Sequence, residues 1–110
     1  MRAALRARTV DAMYVIVIHQ FQDPQTAFAR GERLVMNEGA PPGVRGLQFY
    51  PATDGSTAAC LWESDSVEAI QAYVDSTLGD SSVNTCFEVD SEQAFAEQPL
   101  GLRTPAAIRG

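Results

Sequence analysis

Residues 13–21 read MYVIVIHQF, a run of β-branched and aromatic side chains with a histidine near its end. Composition and length predict a strand. Alternation puts Tyr14, Ile16 and Ile18 on one side and Val15, Val17 and Phe21 on the other, so both faces are apolar. An antiparallel strand with one face in water reads polar on that face, and this one does not. It therefore needs cover on both sides, more than the helices of one chain supply on a single face.

Downstream, Asp23-Pro24 predicts a helix N-cap followed by proline at the first helical position. Ala27, Phe28, Gly31, Leu34 and Val35 then share one helical face, and Gly39 with Pro41-Pro42-Gly43 ends the helix. Val44–Tyr50 is a second strand, Asp54-Gly55 a turn, and Thr57–Glu63 (TAACLWE) a third strand. Asp65 and Glu68 have the spacing of a capping box, with Asp65 in the cap role. Val67, Ile70, Val74 and Leu78 form the face of a second helix, with Tyr73 beside it and Gly79 as its stop. Val83–Val89 is a fourth strand, and Ser91–Glu97 is expected to add one or two helical turns. The order β-α-β-β-α-β predicts an α+β, ferredoxin-like fold, with a four-stranded antiparallel sheet in the order 4-1-3-2 and both helices on one face. The domain is expected over residues 13–90, with an extension at 1–12 and a tail at 91–110.

A chain of 110 residues has room for one core. Its formal charge is −6 and all eight basic residues are arginine. Between Met13 and Asp90 only Arg30, Arg33 and Arg45 stand against eleven acidic residues. Such a surface repels phosphate backbones and argues against nucleic-acid binding. No apolar run approaches the roughly 18 residues of a membrane span. Arg2, Arg6 and Arg8 alternate with small residues, but the apolar run that follows is too short for a signal-peptide core and lacks its cleavage pattern. Cys60 and Cys86 in apolar surroundings fit reduced thiols, and the expected location is cytoplasmic.

Assigning the large aliphatic side chains to the helices predicts a covered face of Ile16, Ile18, Leu47, Phe49, Leu61, Phe87 and Val89. The opposite face, expected to pack on a second copy of the chain, then carries Val15, Val17, His19, Gln48, Tyr50, Cys60, Trp62, Asn84, Cys86 and Glu88. A bulge would reverse part of a strand. His19 is the candidate general acid/base or polar anchor, since a buried imidazole is neutral and its pKa lowered. Tyr50, Cys60, Trp62, Asn84, Cys86 and Glu88 are the candidate ligand-binding residues around it. The alternatives are structural: a hydrogen-bonded strand-end histidine, cysteines as small core residues, Tyr50 and Trp62 as packing, and Glu88 paired with an arginine. His19 with both cysteines offers a soft set for Cu, Ni or Zn, without any Cys-x-x-Cys or His-x-x-x-His spacing. No cofactor motif is visible.

Ala59-Cys60-Leu61-Trp62-Glu63 leading into Asp65-Ser66-Val67-Glu68-Ala69, with the element order and length, resembles the dimeric α+β barrel proteins over residues 13–90. That superfamily includes antibiotic-biosynthesis monooxygenase-like domains and small nickel-binding proteins. The resemblance implies a homodimer formed through the sheet faces, with an inter-sheet cleft that takes a small apolar or aromatic molecule near His19. Haem-degrading members use a strand-one Asn, a strand-three Trp and a His in the second helix. Trp62 matches, whereas the first strand has no Asn and the second helix no His, which leaves cofactor-independent oxygenation as the enzymatic expectation. A non-enzymatic metal-binding protein and a structural dimer without a site are the alternatives.

Overall fold

The computed structural model describes residues 12–97 and 108–109. The expected N-terminal extension and most of the expected tail lie outside these residues. In chain order the elements are β1 (Met13–Phe21), α1 (Pro24–Val35), β2 (Arg45–Pro51), β3 (Thr57–Ser64), α2 (Val67–Leu78), a short 3₁₀ turn at Gly79–Ser81, and β4 (Ser82–Glu88). The sheet is antiparallel in the order β2-β3-β1-β4, the predicted arrangement.

Each helix begins where its cap dictates. Asp23 accepts from the Thr26 backbone N–H at 3.2 Å and from its hydroxyl at 2.7 Å, and Pro24 opens α1. The second cap corrects the expectation: Ser66, not Asp65, accepts from Ala69 N–H at 3.0 Å, because Ser66 is the residue in extended conformation immediately before the helix. Asn37 adopts a left-handed φ of 59° after α1, and Glu38 N–H returns to Arg33 C=O. The Asn37 amide then bonds Val44 C=O and Gly46 N–H, setting the path into β2. After β4, residues 91–94 make one hydrogen-bonded turn on Asp90 rather than a helix.

Both helices cover one sheet face. The core joins Leu34 of α1 and Ile70, Tyr73, Val74 and Leu78 of α2 to Val15, Val17, Cys60 and Trp62 of the sheet. Trp62 and Tyr73 meet edge to face at 5.8 Å, and the Tyr73 hydroxyl donates to Glu38 C=O. On β1, β3 and β4 this is the reverse of the predicted facing. Val15, Val17, His19, Cys60, Trp62, Asn84 and Cys86 lie under the helices, whereas Ile16, Ile18, Leu61 and Phe87 lie on the open side. On β1 the valines Val15 and Val17 pack against the helices, and the larger isoleucines Ile16 and Ile18 go to the other face.

Strand β2 follows the predicted facing because of a bulge. Gly46 pairs with Trp62 but Gln48 pairs with Leu61, leaving Leu47 as an extra residue. Beyond it Phe49 sides with Cys60, while Gln48 and Tyr50 side with Leu61 and Ala59 on the open face. Tyr14, Tyr50 and Phe87 are exposed there. Among the described residues no helix is long and apolar enough to cross a membrane.

Candidate functional site

His19 lies late in β1, directly opposite Asn84 of β4 and diagonal to Cys60 of β3. Only 2% of its surface is exposed. The ring Nδ1 is 2.7 Å from Asn84 Oδ1, and Nε2 is 3.0 Å from Cys60 Sγ. Surrounding donors decide the tautomer. Asn84 Nδ2 donates to Asp75 Oδ1 at 2.8 Å, and the Ser82 hydroxyl donates to Asn84 Oδ1 at 2.7 Å. The amide oxygen therefore faces the ring and accepts from Nδ1–H. Nε2 is left as the acceptor, and the Cys60 thiol donates to it. Gln71 completes the chain by bonding both Asp75 Oδ2 and Asn84 C=O. The result is one directed line of hydrogen bonds, Cys60 to His19 to Asn84 to Asp75.

Burial sets the protonation states. Desolvation lowers the His19 pKa from its ordinary value, opposed by the Asn84 hydrogen bond and the Asp75 charge, so the ring is neutral at pH 7. Burial pushes the Cys60 thiol up to about 12 and the half-buried Cys86 thiol to about 11. The Trp62 indole N–H is close enough to Cys60 to favour its thiolate slightly. That approach falls short of hydrogen-bond geometry, and among the described residues Trp62 Nε1 is a buried donor without an acceptor. Cys60 and Cys86 both flank Val17, two strand spacings or about 9–10 Å apart, and both are free thiols.

His19, Cys60 and Trp62 open onto a pocket of about 570 Å³ between α1 and the β2–β3 side of the sheet. Phe21, Ala27, Phe28, Leu34, Phe49 and Leu78 make most of its wall, which is predominantly apolar. Phe21 stacks on the His19 ring, 5.8 Å away and within 7° of parallel, and Phe28 meets Phe21 at 5.2 Å. Ile108 and Arg109 also line it. Arg109 donates to Val35 C=O at 2.8 Å and to Gly46 C=O at 3.1 Å.

The expected site residues therefore separate. His19, Cys60, Asn84 and Trp62 come together under the helices, and Cys86 lies on the same face beside Val17. Tyr50 touches the rim of the pocket from the edge strand, but the bulge sends it to the other face. Glu88 is exposed, opposite Val15 at the far end of β1. Asp75, Gln71 and Ser82 were not anticipated. Gln71 and Asp75 are four apart, beside the Ile70–Val74 stripe, a spacing that puts two polar groups over the sheet. Among the described residues no three His, Cys, Asp or Glu side chains group as a metal site. No protein family, curated protein or solved structure matches this chain.

Proposed function

We propose that this chain binds a small apolar or aromatic molecule carrying a hydrogen-bond acceptor, in the pocket between α1 and the sheet. The observation that carries the reading is Trp62, whose ring lines an apolar pocket while its buried Nε1 donor has no hydrogen-bond partner among the described residues. A buried unsatisfied donor costs about 1–3 kcal/mol, and a ligand carbonyl or ether oxygen would recover it. The volume lies within the roughly 300–1,000 Å³ usual for small-molecule sites. Binding fits better than oxygenation by an imidazole base, because the one free lone pair of His19 is engaged by the Cys60 thiol.

Trp62 is the only tryptophan, so its indole N–H gives a single side-chain NMR signal. Titration with hexanophenone, an apolar ketone with one acceptor, is expected to move that signal saturably. No movement up to the solubility limit defeats the reading. Native mass spectrometry of the protein as purified reports any retained ligand in the same experiment series.

The open sheet face supports a homodimer of the dimeric α+β barrel type. Half-buried Ile16, Ile18 and Leu61 at its centre, with exposed Tyr14, Tyr50 and Phe87 around them, make an apolar surface of a kind monomers seldom leave in water. In this reading the sheets pack face to face while each pocket stays within its own subunit. Sedimentation equilibrium at tens of micromolar is expected to give a dimer, and a monomer there rejects it.

A further inference from the structure

The line of hydrogen bonds that ends at Cys60 has the parts of an activated nucleophile. We propose that Cys60 accepts an acyl group from an apolar ester or thioester bound in the pocket, with His19 as its base and Trp62 as donor to the acyl oxygen. The proposal rests on the binding reading above and names the substrate class for that site. Three independent features carry it. The thiol is 3.0 Å from the lone pair of a histidine whose other nitrogen is held at 2.7 Å by Asn84. Asn84 is in turn fixed by Asp75 and Ser82, so the ring cannot turn away without breaking the chain. The indole N–H of Trp62, two residues along the same strand and on the same face, lies beside Cys60, is buried and has no hydrogen-bond acceptor among the described residues, and its ring lines the same pocket. A thiol, a base, a group that orients the base and a free donor for a developing oxyanion are the elements of acyl transfer.

The step balances within these residues and the substrate. Cys60 Sγ attacks the carbonyl carbon as its proton passes to His19 Nε2, and the displaced π pair goes to the oxygen beside Trp62 N–H. Collapse breaks the bond to the leaving alkoxide or thiolate, which takes the proton from Nε2, leaving a thioester on Cys60. Water then attacks that thioester with His19 again as base. The acid departs and the thiol is restored. Asn84 touches none of the reacting atoms and is a positioning residue. Because burial disfavours a thiolate–imidazolium pair, the resting state is neutral and the proton moves during attack.

The test is intact-protein and peptide mass spectrometry after incubation with p-nitrophenyl hexanoate, alongside the hexanophenone titration. The expected result is one hexanoyl group on Cys60, unchanged in Cys86→Ser. His19→Gln is expected to slow acylation by about a hundredfold or more, the range of general-base assistance. The wild-type rate should be level between about pH 7 and 9, because the base is already neutral there. Acylation confined to Cys86, equal rates in His19→Gln, or a rate climbing about tenfold per pH unit as a bare thiolate would, each overturns the proposal. If His19→Gln does not fold, the wild-type pH profile decides alone. Hexanophenone binding without acylation overturns the nucleophile and leaves the binding reading intact, whereas failure of both overturns the two together.

Discussion

His19 and Asn84 face each other across β1 and β4 with Nδ1 and Oδ1 2.7 Å apart, and that contact connects a buried imidazole to the helix above it. Asn84 turns its oxygen to the ring because its nitrogen is taken by Asp75 of α2. The carboxylate therefore acts on the histidine through an amide rather than directly. A direct carboxylate contact would favour the imidazolium far more strongly. The amide relay orients the ring and leaves it neutral.

Stability should depend on pH through His19. Its folded pKa lies below the unfolded value near 6.5, so between the two the unfolded chain binds the extra proton. The contribution is fully present above the unfolded pKa and is lost as pH falls toward the folded one. Urea midpoints measured from pH 8 to pH 4 should fall through that window. His19 is the only histidine, so His19→Asn should flatten that part of the curve.

Asn84→Ala should lower the His19 pKa further. The Asn84 hydrogen bond is the larger of the two influences that hold the pKa up, and Asp75 would lose its link to the ring. NMR titration of the single imidazole measures this directly. An upward shift would mean that water or Asp75 replaces the amide.

The element order, the strand limits and the Asp23 cap were legible because each rests on local chemistry: alternation, capping side chains, proline and glycine. The meeting of His19 with Asn84 and Cys60 also follows from register once the strand order is known. The facing of the sheet was not legible, since β1 and β3 are apolar on both sides and size pointed the wrong way. Val15, Val17 and Ala58 are buried under the helices while Tyr14 and Phe87 are exposed. Leu47 hid a second feature, because a bulge leaves no mark in a seven-residue strand. Arg109 lay in a stretch of proline, alanine and glycine that carries no periodicity.

The two sheet faces should respond differently to charge. Val17→Asp places an unpaired carboxylate in the core and should destabilise the fold by roughly 3–5 kcal/mol. Ile16→Asp on the open face should leave the monomer folded and abolish association. Thermal denaturation and sedimentation velocity on both variants separate these effects. A folded, dimeric Ile16→Asp variant would remove that face from the interface.

Gly31 in the middle of α1 lines the pocket, and a Cβ there would meet only Leu78 Cδ2, at an ordinary 3.8 Å. Gly31→Ala should therefore raise stability by about 0.5–1 kcal/mol through helix propensity. Gly31→Leu extends into the pocket and should abolish hexanophenone binding while the protein remains folded. Calorimetry with the indole N–H titration checks both variants, and undiminished binding in Gly31→Leu would place the ligand elsewhere.

The bulge at Leu47 has a consequence for how chains can meet. β2 is an edge strand, and a regular edge is a template on which a foreign strand can add and seed fibrils. Here the extra residue breaks the repeat of donors and acceptors, Pro51 offers no N–H at the strand's end, and Arg109 occupies the Gly46 carbonyl. On this side the sheet is closed to growth by strand addition.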